Sequence, residues 1–217
     1  MPLHLLNSRL WFPPVEDAMD DGLLAIGGDV SPERLLLAYQ QGIFPWYNED
    51  IPLWWSPDPR FVLFPEELRI HKSMQSIIRK KVFSYTVNRA FTDVLEHCSN
   101  TPRSNQDGTW LNRELIDSLI ELNKRGNAHS VEVWQNNQLV GGLYGIKMGR
   151  IFCGESMFSF VSNASKFGFL QYVTQLKEEG IELIDCQVYS EHLASLGARM
   201  IDRKRFIEYL PLSGYSV

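Results

Sequence analysis

The chain has 217 residues, 44% of them apolar and 22% charged, with a formal net charge of -5. No apolar run approaches the roughly 18 residues a membrane helix needs, and "MPLHLLNSRLWFPP" has no basic segment ahead of its short apolar run, so neither a membrane partner nor a signal peptide is expected. Three scattered cysteines (Cys98, Cys153, Cys186) with no C-x-x-C argue against a disulfide framework and a thiolate zinc site, and the simplest reading is a cytoplasmic protein without a metal.

The first part of the chain is rich in turn residues: "FPP", "GLLAIGGD", "GIFPW" and "WWSPDPR". Four tryptophans lie there, Trp11, Trp46, Trp54 and Trp55. One helix is clear. Ser31 caps it, Pro32 occupies its first position, "ERLLLAYQQ" carries it and Gly42 ends it. The rest reads as loops packed by aromatics. Residues 1–60 are therefore expected to form a small N-terminal domain that cannot bury enough surface alone.

From residue 61 to 217 the pattern changes to a second domain. "IHKSMQSIIRKK" reads as a helix and "FSYTVN" as a strand. Asn88 is expected to cap a helix with Phe91, Val94 and Leu95 on one face, and "NRELIDSLIELNKRG" is an amphipathic helix closed by Gly126. "HSVEVW", "QLVGGLYGI" and "RIFCGESMF" are strand signals joined by "QNN" and "KMG", which is hairpin chemistry and predicts an antiparallel meander. Helix "NASKFGFLQYVTQLKEEG", strand "IELIDCQV", helix "SEHLASLG" and a last strand near "RKRFIEYL" follow. This is the order of the acetyltransferase-like (GNAT-like) α+β fold, with a mixed, mostly antiparallel sheet. That fold parts two central strands and puts the acyl donor in the gap, although fold alone does not fix function.

Several positions carry chemistry. In strand "IDCQ", Asp185 and Gln187 are two residues apart and project to the same face. In "GESMF", Glu155 is costly to bury unless paired, so it is a satisfied structural carboxylate or a site group, and Gly154 beside it suggests a bulge or a close backbone approach. The glycines of "LVGGLYG" (Gly141, Gly142, Gly145) lie within a strand, which fits tight packing or a ligand surface but not a phosphate loop. Trp46 and Trp110 are core residues or stacking platforms for a nucleobase, worth roughly 1–3 kcal/mol per base in the second case. His129 and His192 read as structural or surface residues. Two basic clusters, "RIHKSMQSIIRKK" and "RMIDRKRF", are solvated faces or nucleic-acid contacts. The pyrophosphate loop of an acetyltransferase is missing, and "SNASKFGF" stands in its place, which weakens a coenzyme A reading.

Taken in order, "GLLAIGGDVSPERLLLAYQQGIFPW", "WWSPDPR", "DGTW", "HSVEVW", "LVGGLYG", "FCGESMFS", "NASK", "LIDCQ" and "HLASLGA" closely resemble the leucyl/phenylalanyl-tRNA–protein transferase family from about residue 11 to 210. The resemblance implies transfer of Leu or Phe, less readily Met, from aminoacyl-tRNA to proteins beginning with Arg or Lys, which creates an N-degron. It implies Asp185 and Gln187 at the reaction centre, Trp46 and Trp110 against the 3′-terminal adenosine, and Glu155 in the site with Gly154 and Met157 of the same motif. It places Leu143, Phe152, Phe169, Tyr172 and Ile184 in an apolar side-chain pocket. Lys72, Arg79 and Lys80 would take the acceptor stem.

The reaction so implied is aminolysis of an ester that is already activated, so no ATP, metal or coenzyme is expected, and the protein is expected to be a monomer. The attacking α-amine, with an unperturbed pKa of roughly 7.7–8.0, is partly neutral near pH 7. The working hypothesis is that Asp185 orients the Gln187 amide while Gln187 contacts the amine, with Asp185 as direct base or the tRNA ribose hydroxyl as proton carrier in the variants. The rival readings are an acyl-coenzyme A N-acetyltransferase and a non-catalytic tRNA-binding protein.

Overall fold

A computed structural model describes residues 3–47, 51–101 and 111–211. The elements run β1 (His4–Leu6), β2 (Leu23–Gly27), α1 (Pro32–Gln40), β3 (Phe44–Pro45), β4 (Leu53–Trp55), β5 (Arg60–Leu63), α2 (Lys72–Arg79), β6 (Ser84–Val87), α3 (Phe91–Asn100) and α4 (Arg113–Lys124). They continue as β7 (Ala128–Gln135), β8 (Gln138–Met148), β9 (Ile151–Ser159), α5 (Ala164–Glu178), β10 (Leu183–Gln187), α6 (Glu191–Ser195), β11 (Arg199–Ile201) and α7 (Arg203–Ile207).

Local chemistry explains most of these boundaries. The Ser31 hydroxyl accepts the Arg34 N–H, Pro32 opens α1, and Gly42 follows the helix at φ +75°. Asn112 caps α4 by accepting the Leu115 N–H at 2.9 Å. Asn136 and Asn137, both in the left-handed region, turn β7 into β8.

Three expectations are corrected. The early segment is not a set of loops, because β1, β2, β4 and β3 pair in that order as a four-stranded sheet. Strands this short, broken by Pro and Gly, leave no period-2 trace. Asn88 does not cap α3: it sits at φ +57° and its Oδ1 accepts the Ser130 N–H, while the buried Glu132 carboxylate accepts the Arg89 and Ala90 N–H groups ahead of the helix. "RKRFI" is helix α7, and the last strand is the three-residue β11 just before it. Phe206 goes to the core while its charged neighbours stay outside, which alternation alone did not separate.

The second sheet runs β11-β5-β10-β9-β8-β7-β6, and the fold is α+β with a mixed, mostly antiparallel sheet. Its one parallel contact is β9 with β10, held only at Leu183↔Ile151, Ile184↔Phe152 and Asp185↔Cys153. Beyond that point β9 continues along β8 to Ser159 while β10 ends, so the two central strands part beside Gly154 and Gln187. One apolar cluster lies on the face carrying α3 and α4 and reaches from Leu24, Leu35 and Trp54 into Val94, Leu115 and Tyr144. The other lies on the face covered by α2 and α5. The first sixty residues thus share a core with the larger sheet. No helix among the described residues is long and apolar enough to cross a membrane.

Candidate active site

Two bulges build the centre of the site. In β9, Tyr144 pairs with Ser156 but Gly145 pairs with Gly154, so Glu155 is an extra residue pushed out of the ladder. In β10, Asp185 pairs with Val62 and Gln187 with the adjacent Phe61, so Cys186 is extra and Gln187 takes φ +65°. Left-handed backbone is uncommon for a residue other than glycine and points to a constrained position. The bulges bring the two side chains together across the opening: Gln187 Nε2 donates to Glu155 Oε1 at 2.7 Å.

Asp185 is 1% exposed, and the bulge breaks the alternation expected to put it on one face with Gln187, since their ladder partners Val62 and Phe61 are consecutive residues of β5; it does not touch the Gln187 side-chain amide. Its Oδ1 accepts the Gln187 backbone N–H at 2.9 Å. Arg60 forks onto the same carboxylate, Nε to Oδ1 at 2.8 Å and Nη2 to Oδ2 at 2.7 Å. The Cys153 thiol also donates to it, and burial pushes that thiol far above its usual range. The amide is therefore oriented by Glu155, while Asp185 fixes the backbone that carries it. Arg60 was missed in the sequence. It opens an apolar strand, and its partner lies 125 residues away, so no local spacing reveals the pair.

Glu155 is partly buried, yet its carboxyl lies in a desolvated junction. Burial pushes its pKa up to about 8, with the Asp185 charge acting in the same sense. Hydrogen bonds from the Tyr39 hydroxyl and the Gln187 amide, and the Arg60 charge, pull the other way. A carboxyl that titrates near neutral pH and touches an amide at a strand opening is suited to hold an amine or to relay a proton. Arg60 stays firmly charged. Burial alone would lower its pKa, and the facing Asp185 charge outweighs that.

The apolar residues gather on the other face. Leu143, Phe152, Phe169, Tyr172 and Ile184 are all buried in one cluster, with Met157 packed against it and the Phe152 and Tyr172 rings 5.2 Å apart edge to face. Ile184 and Asp185 thus point to opposite faces of β10. Gly154 stands where β9 and β10 part: a Cβ there would meet nothing nearer than the Asp185 carbonyl at 3.8 Å. The "LVGGLYG" glycines do the opposite. A Cβ on Gly141 would come within 2.8 Å of Ala164, and one on Gly145 within 2.2 Å of the Cys153 carbonyl, so these are packing glycines.

Trp46 is 37% exposed just after β3, its carbonyl accepting the Trp55 indole N–H at 2.7 Å. Trp110 lies outside the described residues. Lys72, Arg79 and Lys80 are exposed at the two ends of α2, which docks through Met74, Ile77 and Ile78. In the second basic cluster, Arg199 forks onto Glu67 at 2.9 and 3.0 Å, and Arg203 donates to the Ser56 carbonyl, so both are structural. His129 closes a turn onto the Gly126 carbonyl at 3.0 Å. No cluster of metal-ligating side chains is found among the described residues.

Residues 62–211 match the family described as Leucyl/phenylalanyl-tRNA protein transferase, and residues 28–58 match that family's N-terminal domain. A Leucyl/phenylalanyl-tRNA--protein transferase from Flavobacterium johnsoniae is 56% identical over 209 residues, covering 96% of this chain and 99% of that one. Relatives of the same name from Christiangramia forsetii (54% identical; 96% of this chain, 100% of that one) and Pseudomonas fluorescens (53% identical; 95% and 92%) are similarly close.

Proposed function

From the premise that the chain belongs to the leucyl/phenylalanyl-tRNA–protein transferase family and is an aminoacyltransferase that moves an aminoacyl group from tRNA to a protein, we propose that it carries Leu or Phe, less readily Met, to acceptors beginning with Arg or Lys, and so marks them for degradation. The observation that carries this reading is the Glu155–Gln187 contact at the parting of β9 and β10.

In the proposed reaction the neutral α-amine of the acceptor attacks the ester carbonyl. A C–N bond forms, the C–O bond to the 3′ oxygen of the tRNA breaks, and the amine proton ends on that oxygen. Gln187 meets the attacking amine. Glu155 holds the Gln187 amide in place and, once ionised, supplies negative charge next to a cationic acceptor terminus. Asp185, tied to Arg60, keeps the backbone of Gln187 in its left-handed conformation. The Leu or Phe side chain enters the apolar cluster of Leu143, Phe152, Met157, Phe169, Tyr172 and Ile184 past Gly154. Positioning of this kind supplies several kcal/mol without any added group. Trp46 and Trp110 stack the terminal adenosine, and Lys72, Arg79 and Lys80 contact acceptor-stem phosphates. An acetyl-coenzyme A donor is disfavoured because α5 opens with "NASK", with Asn163 left-handed and no glycine-rich loop.

The test is a transfer assay with labelled Leu-tRNA and peptides beginning with Arg or Ala, without ATP or coenzyme A. Label on the Arg peptide alone, abolished by ribonuclease, is the expected result. Label on neither peptide, or on both alike, contradicts the acceptor reading.

A further inference from the structure

We infer that Arg60 is a positioning residue for the reaction centre, setting the geometry of Gln187 through Asp185 and tying it to the strand that leads to Trp46; this rests on the reading of Gln187 as the group that meets the amine.

The guanidinium is 1% exposed, and each of its three nitrogens donates a hydrogen bond. Besides the fork onto Asp185, its Nη1 donates to the Gly42 carbonyl at 3.2 Å. It lies over two rings, its central carbon 4.7 Å from the Phe44 centroid and 4.6 Å from that of Phe206. One planar group thus joins the end of α1, strand β3, strand β10 and helix α7. Stability does not demand this arrangement, since well-packed apolar side chains commonly replace buried ion pairs without loss. Direction does explain it. Asp185 Oδ1 takes both the Arg60 Nε–H and the Gln187 backbone N–H, so the guanidinium plane sets the carboxylate plane, and the carboxylate sets the left-handed residue that presents the amide to Glu155. On the other side Phe44 lies two residues before Trp46 in the chain. A lysine keeps the charge but cannot form the fork or present a planar group to the two rings.

The experiment measures kcat, and KM for Leu-tRNA, with an Arg-initiated peptide for wild type, R60K, Q187A, D185N and R60K/D185N, with thermal unfolding of each. A folded R60K is expected to lose about 100-fold in kcat, the size of loss that small misplacement of a reacting group brings, with KM changed by no more than about threefold. Because the two residues act through one carboxylate, R60K/D185N is expected to be little worse than D185N alone. A purely structural role would instead lower the folded fraction and leave the kcat of the folded protein unchanged. Should R60K not fold, F206L, which removes one ring and keeps the fork, takes its place with a smaller loss of kcat at constant KM. Unchanged kcat in folded R60K, or in F206L if R60K fails to fold, overturns the inference while Q187A remains impaired. Full turnover in Q187A overturns the reading of the centre itself.

Discussion

Gln187 reaches Glu155 across the point at which β9 and β10 separate, its Nε2 lying 2.7 Å from Oε1. Burial pushes the Glu155 carboxyl up to about 8, from an ordinary 4.5. Between those values the folded chain holds a proton that the unfolded chain has released, so stability falls as pH rises. The contribution is complete below the unfolded value and is gone above the folded one. E155Q removes this group, so the difference in urea midpoint between wild type and E155Q should shift against the wild type from about pH 5 to about pH 8.5. A difference that stays flat across that range would show that Glu155 titrates normally.

Glycines of β8 and β9 have opposite duties, which substitution by alanine separates. A Cβ on Gly145 would meet the Cys153 carbonyl at 2.2 Å and the Phe152 ring at 2.4 Å. G145A should therefore destabilise by about 1–3 kcal/mol in chemical denaturation. At Gly154 the space is open, and G154A should stay within about 0.5 kcal/mol of wild type. Yet G154A should slow transfer, because its methyl stands at the parting of β9 and β10, past which the Leu or Phe side chain is proposed to enter. Normal turnover in G154A would place the aminoacyl path elsewhere.

The basic ends of α2 make a prediction about salt. Lys72, Arg79 and Lys80 are exposed, and none is in an ion pair among the described residues. If they meet phosphates, replacing all three by Gln should weaken aminoacyl-tRNA binding and reduce the slope of log affinity against log salt by about 0.7–0.9 per charge removed. A short donor ending in the aminoacyl-adenosine should react as before. Equal loss with the short donor would mean that the variant is damaged at the centre and not at the tRNA surface.

Much of the chain after residue 60 was legible because its elements carry local signatures. The Asn136–Asn137 turn, the amphipathic helix closed by Gly126 and the polar pair of "IDCQ" each announce themselves within a few residues. The placement of the apolar residues on one cluster was legible only through family resemblance, since Leu143, Phe152 and Ile184 come from three different strands. What sequence hid was long-range. The early four-stranded sheet depends on pairing such as Phe44 with Trp55, and the Arg60–Asp185 fork on two residues far apart in the chain. The bulge that frees Glu155 was hinted at by Gly154. The one at Gln187 had no such marker, because a left-handed glutamine is held there by Asp185 and not by its own preference.

The most direct test of the central claim is the single-turnover rate of Leu transfer to an Arg-initiated peptide by Q187A, compared with wild type at saturating Leu-tRNA. The account predicts a fall of about 10²-fold or more with aminoacyl-tRNA binding preserved, the pattern left when an interaction made in the transition state is removed. A wild-type rate from folded Q187A would contradict it and move the chemistry away from the opening between β9 and β10.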